Sequence, residues 1–179
     1  EKIVNVTQIE NKEILEVGPG TGNLTSLILG KKPNQVTVIE KDNDLAQNLK
    51  DKFKNQLSII HEDILNIDET LLFSNKVIVF GNLPYNISTE ILSKWIINLK
   101  KDFWFENLIL MFQKEVAERI IAKTKTREFS RLSVLSNWRL EIKKNFNVSN
   151  NCFFPKPKIT STVLSFKPKK NNQFNLHNP

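Results

Sequence analysis

Apolar positions along this chain fall into two kinds of run that alternate. Short runs rich in β-branched residues recur at Glu13 to Val17, Gln35 to Ile39, Leu57 to Ile60, Val77 to Phe80 and Leu108 to Phe112. Between them lie segments of helical period, Asn23 to Leu29, Asn43 to Phe53, Thr89 to Leu99 and Lys114 to Ala122. This spacing predicts repeated βα units on a parallel sheet. In the third helix Ser88 or Thr89 stands as a cap before Ile91, Leu92, Trp95, Ile96 and Leu99, which form one apolar stripe toward the sheet.

The last third changes period. Leu140 to Val148 alternates charged and apolar residues, and Ser161 to Phe166 does so again after the loop Pro155-Lys156-Pro157. Two antiparallel strands closing one edge of the sheet account for this. Ala122 to Ser130, dense in Lys, Thr and Arg, is the expected mobile loop. The sequence contains neither an internal repeat nor a low-complexity tract.

Composition narrows the picture only in part. A length of 179 residues with 40% hydrophobic content fits one compact domain. The net charge of +7 favours polyanionic partners, nucleic acid among them, although solubility alone also explains such a charge. Cys152 is the sole cysteine, which excludes an internal disulfide, a thiol-based zinc cluster and a redox pair, and fits a reducing, cytoplasmic setting. Glu1 to Glu13 has no secretory-signal pattern, and no apolar run is long enough to span a bilayer. The chain starts without Met and closes on the polar stretch Asn171 to Pro179, so it reads as a fragment: a domain over 1–170 and a tail or linker over 171–179.

The candidate chemistry sits just past the strands. Glu16-Val17-Gly18-Pro19-Gly20-Thr21-Gly22 ends an apolar strand and opens a helix, so Gly18, Gly20 and Gly22 allow a tight turn and close approach of a nucleotide-like cofactor. A tight turn with no ligand is the alternative. Glu40 ends the second strand, where a carboxylate can accept hydrogen bonds from both ribose hydroxyls, unless it is an exposed partner of Lys41. These features do not separate NAD from S-adenosylmethionine. Asp63 follows the third strand, as an acceptor for an adenine amine or as a helix cap.

Asn82-Leu83-Pro84-Tyr85 closes the fourth strand and makes the distinction. An adenine amine is a poor nucleophile because its lone pair is delocalised into the ring. Two acceptors aimed at its hydrogens, the Asn82 side-chain oxygen and the Leu83 carbonyl, would draw that lone pair toward tetrahedral geometry. Pro84 fixes the turn and holds Leu83 extended, and Tyr85 offers a flat face to an extruded base. No metal and no strong base are required, so catalysis would be positioning and electrostatics. A strand-ending turn explains Asn and Pro here on conformational grounds alone, yet the order of glycine loop, Glu40, Asp63 and Asn82 favours the chemical reading.

These residues resemble the KsgA-type ribosomal RNA adenine dimethyltransferase family, which shares its catalytic fold with the Erm methylases and the mitochondrial transcription factor B proteins. The resemblance extends through Gln113-Lys114-Glu115-Val116 with Arg119, Arg131-Leu132-Ser133-Val134, and Phe153 to Val163. It implies a Rossmann-like class I methyltransferase fold of α/β type, with a seven-stranded, mostly parallel sheet whose last strand is reversed. It also implies S-adenosylmethionine as cofactor, with Glu16, Gly18, Gly20, Gly22, Glu40, Asp63 and Asn82 around it. Tyr85 and Phe153 would hold the target adenine, Phe153 being otherwise a core residue beside Phe154.

The implied partners are ribosomal RNA and the assembling small subunit, met by a monomer, with two adjacent adenines dimethylated. An Erm-type enzyme on the large subunit and a non-catalytic RNA-binding or transcription factor are the competing members of the fold; a NAD-dependent dehydrogenase would leave Asn82 to Tyr85 unexplained. Ser130 departs from the family's usual Gly. The family's leading Gln-Asn-Phe-Leu segment and its C-terminal helical domain are not in the chain, from which weak cofactor binding or poor methylation is expected. Lys123, Lys125, Arg127, Arg131, Lys156, Lys158, Lys167, Lys169 and Lys170 are expected to form one phosphate-facing rim.

Overall fold

A computed structural model describes residues 1–98, 103–152 and 159–169. The first half runs β1 (Glu13–Val17), α1 (Asn23–Leu29), β2 (Gln35–Glu40), α2 (Asn43–Phe53) and β3 (Ser58–His61). Two 3-10 turns, Ile64–Asn66 and Glu69–Leu71, replace a helix before β4 (Val77–Gly81). The second half runs α3 (Ser88–Ile97), β5 (Phe105–Gln113), α4 (Lys114–Ile121), α5 (Arg131–Arg139), β6 (Leu140–Val148) and β7 (Ser161–Pro168).

The seven strands form one sheet in the order β3-β2-β1-β4-β5-β7-β6. β1 to β5 are parallel, whereas β7 runs antiparallel to both β5 and β6. The α/β class and the reversed last strand expected from the sequence are therefore present. The strand order changes direction between β1 and β4, the place where open α/β sheets form a ligand crevice.

Both faces of the sheet are covered, and β4 shows how. Val77 and Val79 join a core with Ile91, Leu92, Trp95 and Ile96 of α3, while Ile78 and Phe80 join the opposite core with Ile28 of α1. Successive strand residues point to opposite faces, so a continuous apolar run is what a doubly covered strand needs. Each large apolar side chain so buried contributes about 1.5–3 kcal/mol.

Two details differ from the sequence reading. α3 begins at Ser88 with Ile87 at the cap position, and the Ser88 hydroxyl donates to the Tyr85 carbonyl instead of capping the helix. α5 was not foreseen: its buried face carries Ser133, Ser136 and Arg139, while Val134 is exposed. The expected 171–179 tail lies outside the described residues.

Candidate functional site

Parallel pairing sets the carboxyl ends of β3, β2, β1 and β4 side by side, so Asp63, Glu40, Gly18 and Asn82 follow one another along a single edge. At about 4.8 Å per inter-strand step the row is on the order of 14 Å long.

Gly18, Gly20 and Gly22 all have positive φ, at 67°, 56° and 77°. Two of them serve different ends. A Cβ on Gly20 would meet nothing within 4 Å, so this part of the turn faces open space. A Cβ on Gly22 would lie 2.5 Å from the Phe53 ring, so Gly22 lets α1 start against α2. Gly18 looks toward the fourth strand, its Cβ position being 4.0 Å from the Asn82 carbonyl oxygen.

Glu40 is buried and its carboxylate is held at both oxygens: the Gly20 N–H donates to Oε2 at 3.1 Å and the Asp42 N–H to Oε1 at 3.0 Å. The alternative of an exposed Glu40–Lys41 pair is not what forms. Lys41 turns instead to Asp63, at 2.7 Å. Asp63 also caps the 3-10 turn after it, its Oδ1 accepting the Leu65 N–H at 3.0 Å. The Lys41 ammonium, then the Leu65 amide, hold the Asp63 carboxyl below its usual range. The cap reading of Asp63 is therefore what the structure shows, and a carboxylate that caps a turn keeps lone pairs for a further donor.

Glu16 is 1% exposed and accepts a hydrogen bond from the Thr25 hydroxyl at 2.7 Å. Burial pushes its carboxyl up to about 7; the Thr25 bond opposes this and the Glu40 charge adds to it. Thr25 was not identified from sequence. Its signal is weak, a hydroxyl one turn into the helix that the glycine turn opens.

At β4 the chain doubles back. Leu83 is buried against the strand it has just left, and a Cβ on Gly81 would meet Leu83 Cδ2 at 2.9 Å, so Gly81 permits this reversal. Burying Leu83 leaves Asn82 and Pro84 exposed at the sheet edge. The loop is tied from within: Ile87 and Ser88 N–H donate to the Pro84 carbonyl, and Ser88 Oγ donates to the Tyr85 carbonyl. Tyr85 is half-buried, and its hydroxyl lies 2.7 Å from Oγ of Ser161, the fully buried first residue of β7. Ser161 is a second residue the sequence reading missed, since nothing local marks a contact 76 positions away.

Phe153 lies outside the described residues, as do Lys156, Lys158 and Lys170. Because β7 runs opposite to its neighbours, Lys167 and Lys169 fall at the far end of the strand from Ser161, and Lys169 donates to the Asn137 carbonyl. Among the described residues no group of three or more His, Cys, Asp or Glu could hold a metal ion, and no helix is long and apolar enough to cross a membrane.

The sheet order, the reversed β7 and the edge row define the Rossmann-like class I fold of S-adenosylmethionine-dependent methyltransferases. A family model described as "Ribosomal RNA adenine dimethylase" matches residues 1–178. This chain belongs to the ribosomal RNA adenine dimethylase family. It is 55% identical, over its whole length, to the ribosomal RNA small subunit methyltransferase A of Pelagibacter ubique, of which it covers 68%. Its fold is similar to a dimethyladenosine transferase of Plasmodium falciparum, with a TM-score of 0.82 and 30% identity over 94% of this chain and 60% of that one. The 23S rRNA methyltransferase ErmE shares the fold at a TM-score of 0.78, with 24% identity over 98% of this chain and 69% of that one. The chain spans between 58% and 68% of the length of the curated relatives it matches.

Proposed function

We propose that this chain is the catalytic part of an S-adenosylmethionine-dependent enzyme that methylates the exocyclic amine of adenines in small-subunit ribosomal RNA. It acts as a cytoplasmic monomer on the assembling subunit and dimethylates two adjacent adenines. The observation that carries the reading is Asn82: the residue is exposed at the carboxyl edge, its backbone carbonyl oxygen 4.0 Å from the Cβ position of Gly18, in one row with Glu40 and Asp63. The identity to a small-subunit methyltransferase, 55% against 24% for ErmE, favours small-subunit over large-subunit RNA.

The cleft fits this cofactor. The open space over Gly20 admits its backbone, and Glu40, already oriented by two amides, accepts from the ribose hydroxyls through its remaining lone pairs. Asp63 accepts from the adenine amine. Glu16 is a buried carboxyl that gains by meeting a cation, which the methionyl ammonium provides. When bound, the cofactor supplies an electrophilic methyl group on positively charged sulfur.

The chain's own residues do the rest. The Asn82 side-chain oxygen and the Leu83 carbonyl accept the two amine hydrogens of the target base and turn its lone pair toward the cofactor. The Tyr85 ring stacks on the extruded purine, a contact worth about 1–3 kcal/mol, and Ser161 holds that ring by its hydroxyl. The methylated amine is a strong acid and gives its proton to water, so no side-chain base is needed.

Labelled methyl transfer to immature small subunits, followed by mapping of the modified base, tests this. Asn82→Ala is expected to lower the rate by roughly 100-fold or more, the scale of losing a preorganised polar contact, and to change S-adenosylhomocysteine binding only a few-fold. Cofactor binding with no methyl transfer to any RNA would indicate a non-catalytic RNA-binding protein, and near-normal turnover by Asn82→Ala would remove the mechanism.

A further inference from the structure

Lys94 of α3 makes a set of contacts that the proposed chemistry does not use. Its ammonium donates to the Ile64 carbonyl at 2.6 Å, to the Ile67 carbonyl, and to Glu69 Oε1 at 2.8 Å. An ammonium has three N–H bonds, so its donors are all spent. Glu69 Oε1 also accepts the Trp95 indole N–H at 2.6 Å. The pair is withdrawn from water, with side-chain exposures of 14% and 5%.

Stability is a poor account of such a pair. Desolvation offsets much of the attraction between buried ions, and apolar groups of similar volume often replace them without loss. Fixing the register of neighbouring elements is a better attested use. Here the gripped carbonyls belong to the two ends of the 3-10 turn that Asp63 opens. Asp63 Oδ1 accepts the Leu65 N–H, the Asp63 carbonyl accepts the Asn66 N–H, and Lys94 holds Ile64 and Ile67 on either side. A cavity of about 360 Å³, lined by Asn66, Asp68, Thr70, Lys94 and Trp104, lies against this turn and gives it room to shift once released.

We propose that Lys94, together with Glu69, is a positioning residue for purine recognition: by gripping the turn behind Asp63 it sets where that carboxylate stands, and so the preference of the cleft for a 6-amino over a 6-oxo purine. The inference rests on the reading of Asp63 as the acceptor for the cofactor's adenine amine. It also links the two ends of the site, because Lys94 lies on the helix that starts directly from the Asn82–Tyr85 loop.

The test is calorimetric titration with S-adenosylhomocysteine and with its 6-oxo counterpart, S-inosylhomocysteine. The unaltered chain is expected to prefer the adenosyl ligand by about 10-fold, the worth of one hydrogen bond to a charged group. Asp63→Ala and the paired change Lys94→Met with Glu69→Gln should each reduce that preference to within about 3-fold, leaving inosyl affinity nearly unchanged. Circular dichroism checks the fold, and Lys94→Gln, which keeps a polar side chain against Glu69, is the second variant.

The outcomes separate the two claims. If Asp63→Ala keeps the preference, or the unaltered chain has none, the reading of Asp63 falls and the inference with it. If Asp63→Ala loses the preference while the Lys94 variants retain it, or lose affinity equally for both ligands, Lys94 is merely structural and the inference alone is overturned.

Discussion

Glu16 shows how a residue that disfavours folding marks a site. Its carboxyl titrates near 7 in the folded chain against 4.5 as the reference value, because burial withholds water from the charged form. Between those two pH values the folded state binds more protons than the unfolded one, so stability falls as pH rises through this window and levels off above it. At 1.36 kcal/mol per unit the cost above pH 7 is about 3 kcal/mol. Glu16→Gln keeps an acceptor for Thr25 and removes the titration. Urea denaturation should therefore show the variant more stable than the parent at pH 8 and no more stable at pH 4; an equal difference at both would contradict the assignment. Residues of this scale were legible where their signal is local. Glu16 and Glu40 stand in the last two residues of their strands, and the glycine turn and Asn82 follow directly on strand ends, so the order of motifs placed them. Thr25, Ser161 and Lys94 were not legible, since each acts through a partner 9, 76 or 25 positions away.

At the scale of elements, the five parallel strands and four helices were legible because each carries its own period, whereas α5 was hidden by its composition. Its buried side at spacing three is Ser133, Ser136 and Arg139, its exposed side includes Val134, and at its start the Ser130 N–H donates to the Ser133 hydroxyl. The Ser133 hydroxyl donates to the Arg119 carbonyl, so this helix docks on α4 partly through polar groups that hydropathy cannot read. The contact of α1 with α2 is the opposite case, fixed by one missing atom. Gly22 caps α1 with φ +77°, and a methyl there would press on Phe53 at 2.5 Å and Leu49 at 2.9 Å. Gly22→Ala combines positive-φ strain with overpacking, and a loss of about 2–3 kcal/mol is expected. Chemical denaturation would measure it, and Phe53→Leu in the same chain should recover part of the loss by opening space. A neutral Gly22→Ala would show that the close approach is not rigid.

For the molecule as a whole, the net charge of +7 was legible at once, but its arrangement was not, because arrangement depends on strand direction. β7 enters at the carboxyl edge with Ser161 and leaves at the opposite edge, carrying Lys167 some six residues, roughly 20 Å, from the site. Lys123, Lys125 and Arg127 instead follow α4, an eight-residue helix about 12 Å long that starts where β5 ends beside Ser161, and all three are exposed. RNA that delivers a base to Asn82 should therefore meet the 123–127 loop sooner than the β7 end. Each phosphate contact contributes about 0.7–0.9 to the slope of log affinity against log salt. Neutralising Lys123, Lys125 and Arg127 to Gln should reduce that slope by about 2 if the loop lies on the backbone. Neutralising Lys167 and Lys169 should leave it nearly unchanged, the Lys169 ammonium being already engaged with Asn137. Equal reductions from both sets would support a single rim and require RNA to wrap from one edge of the sheet to the other.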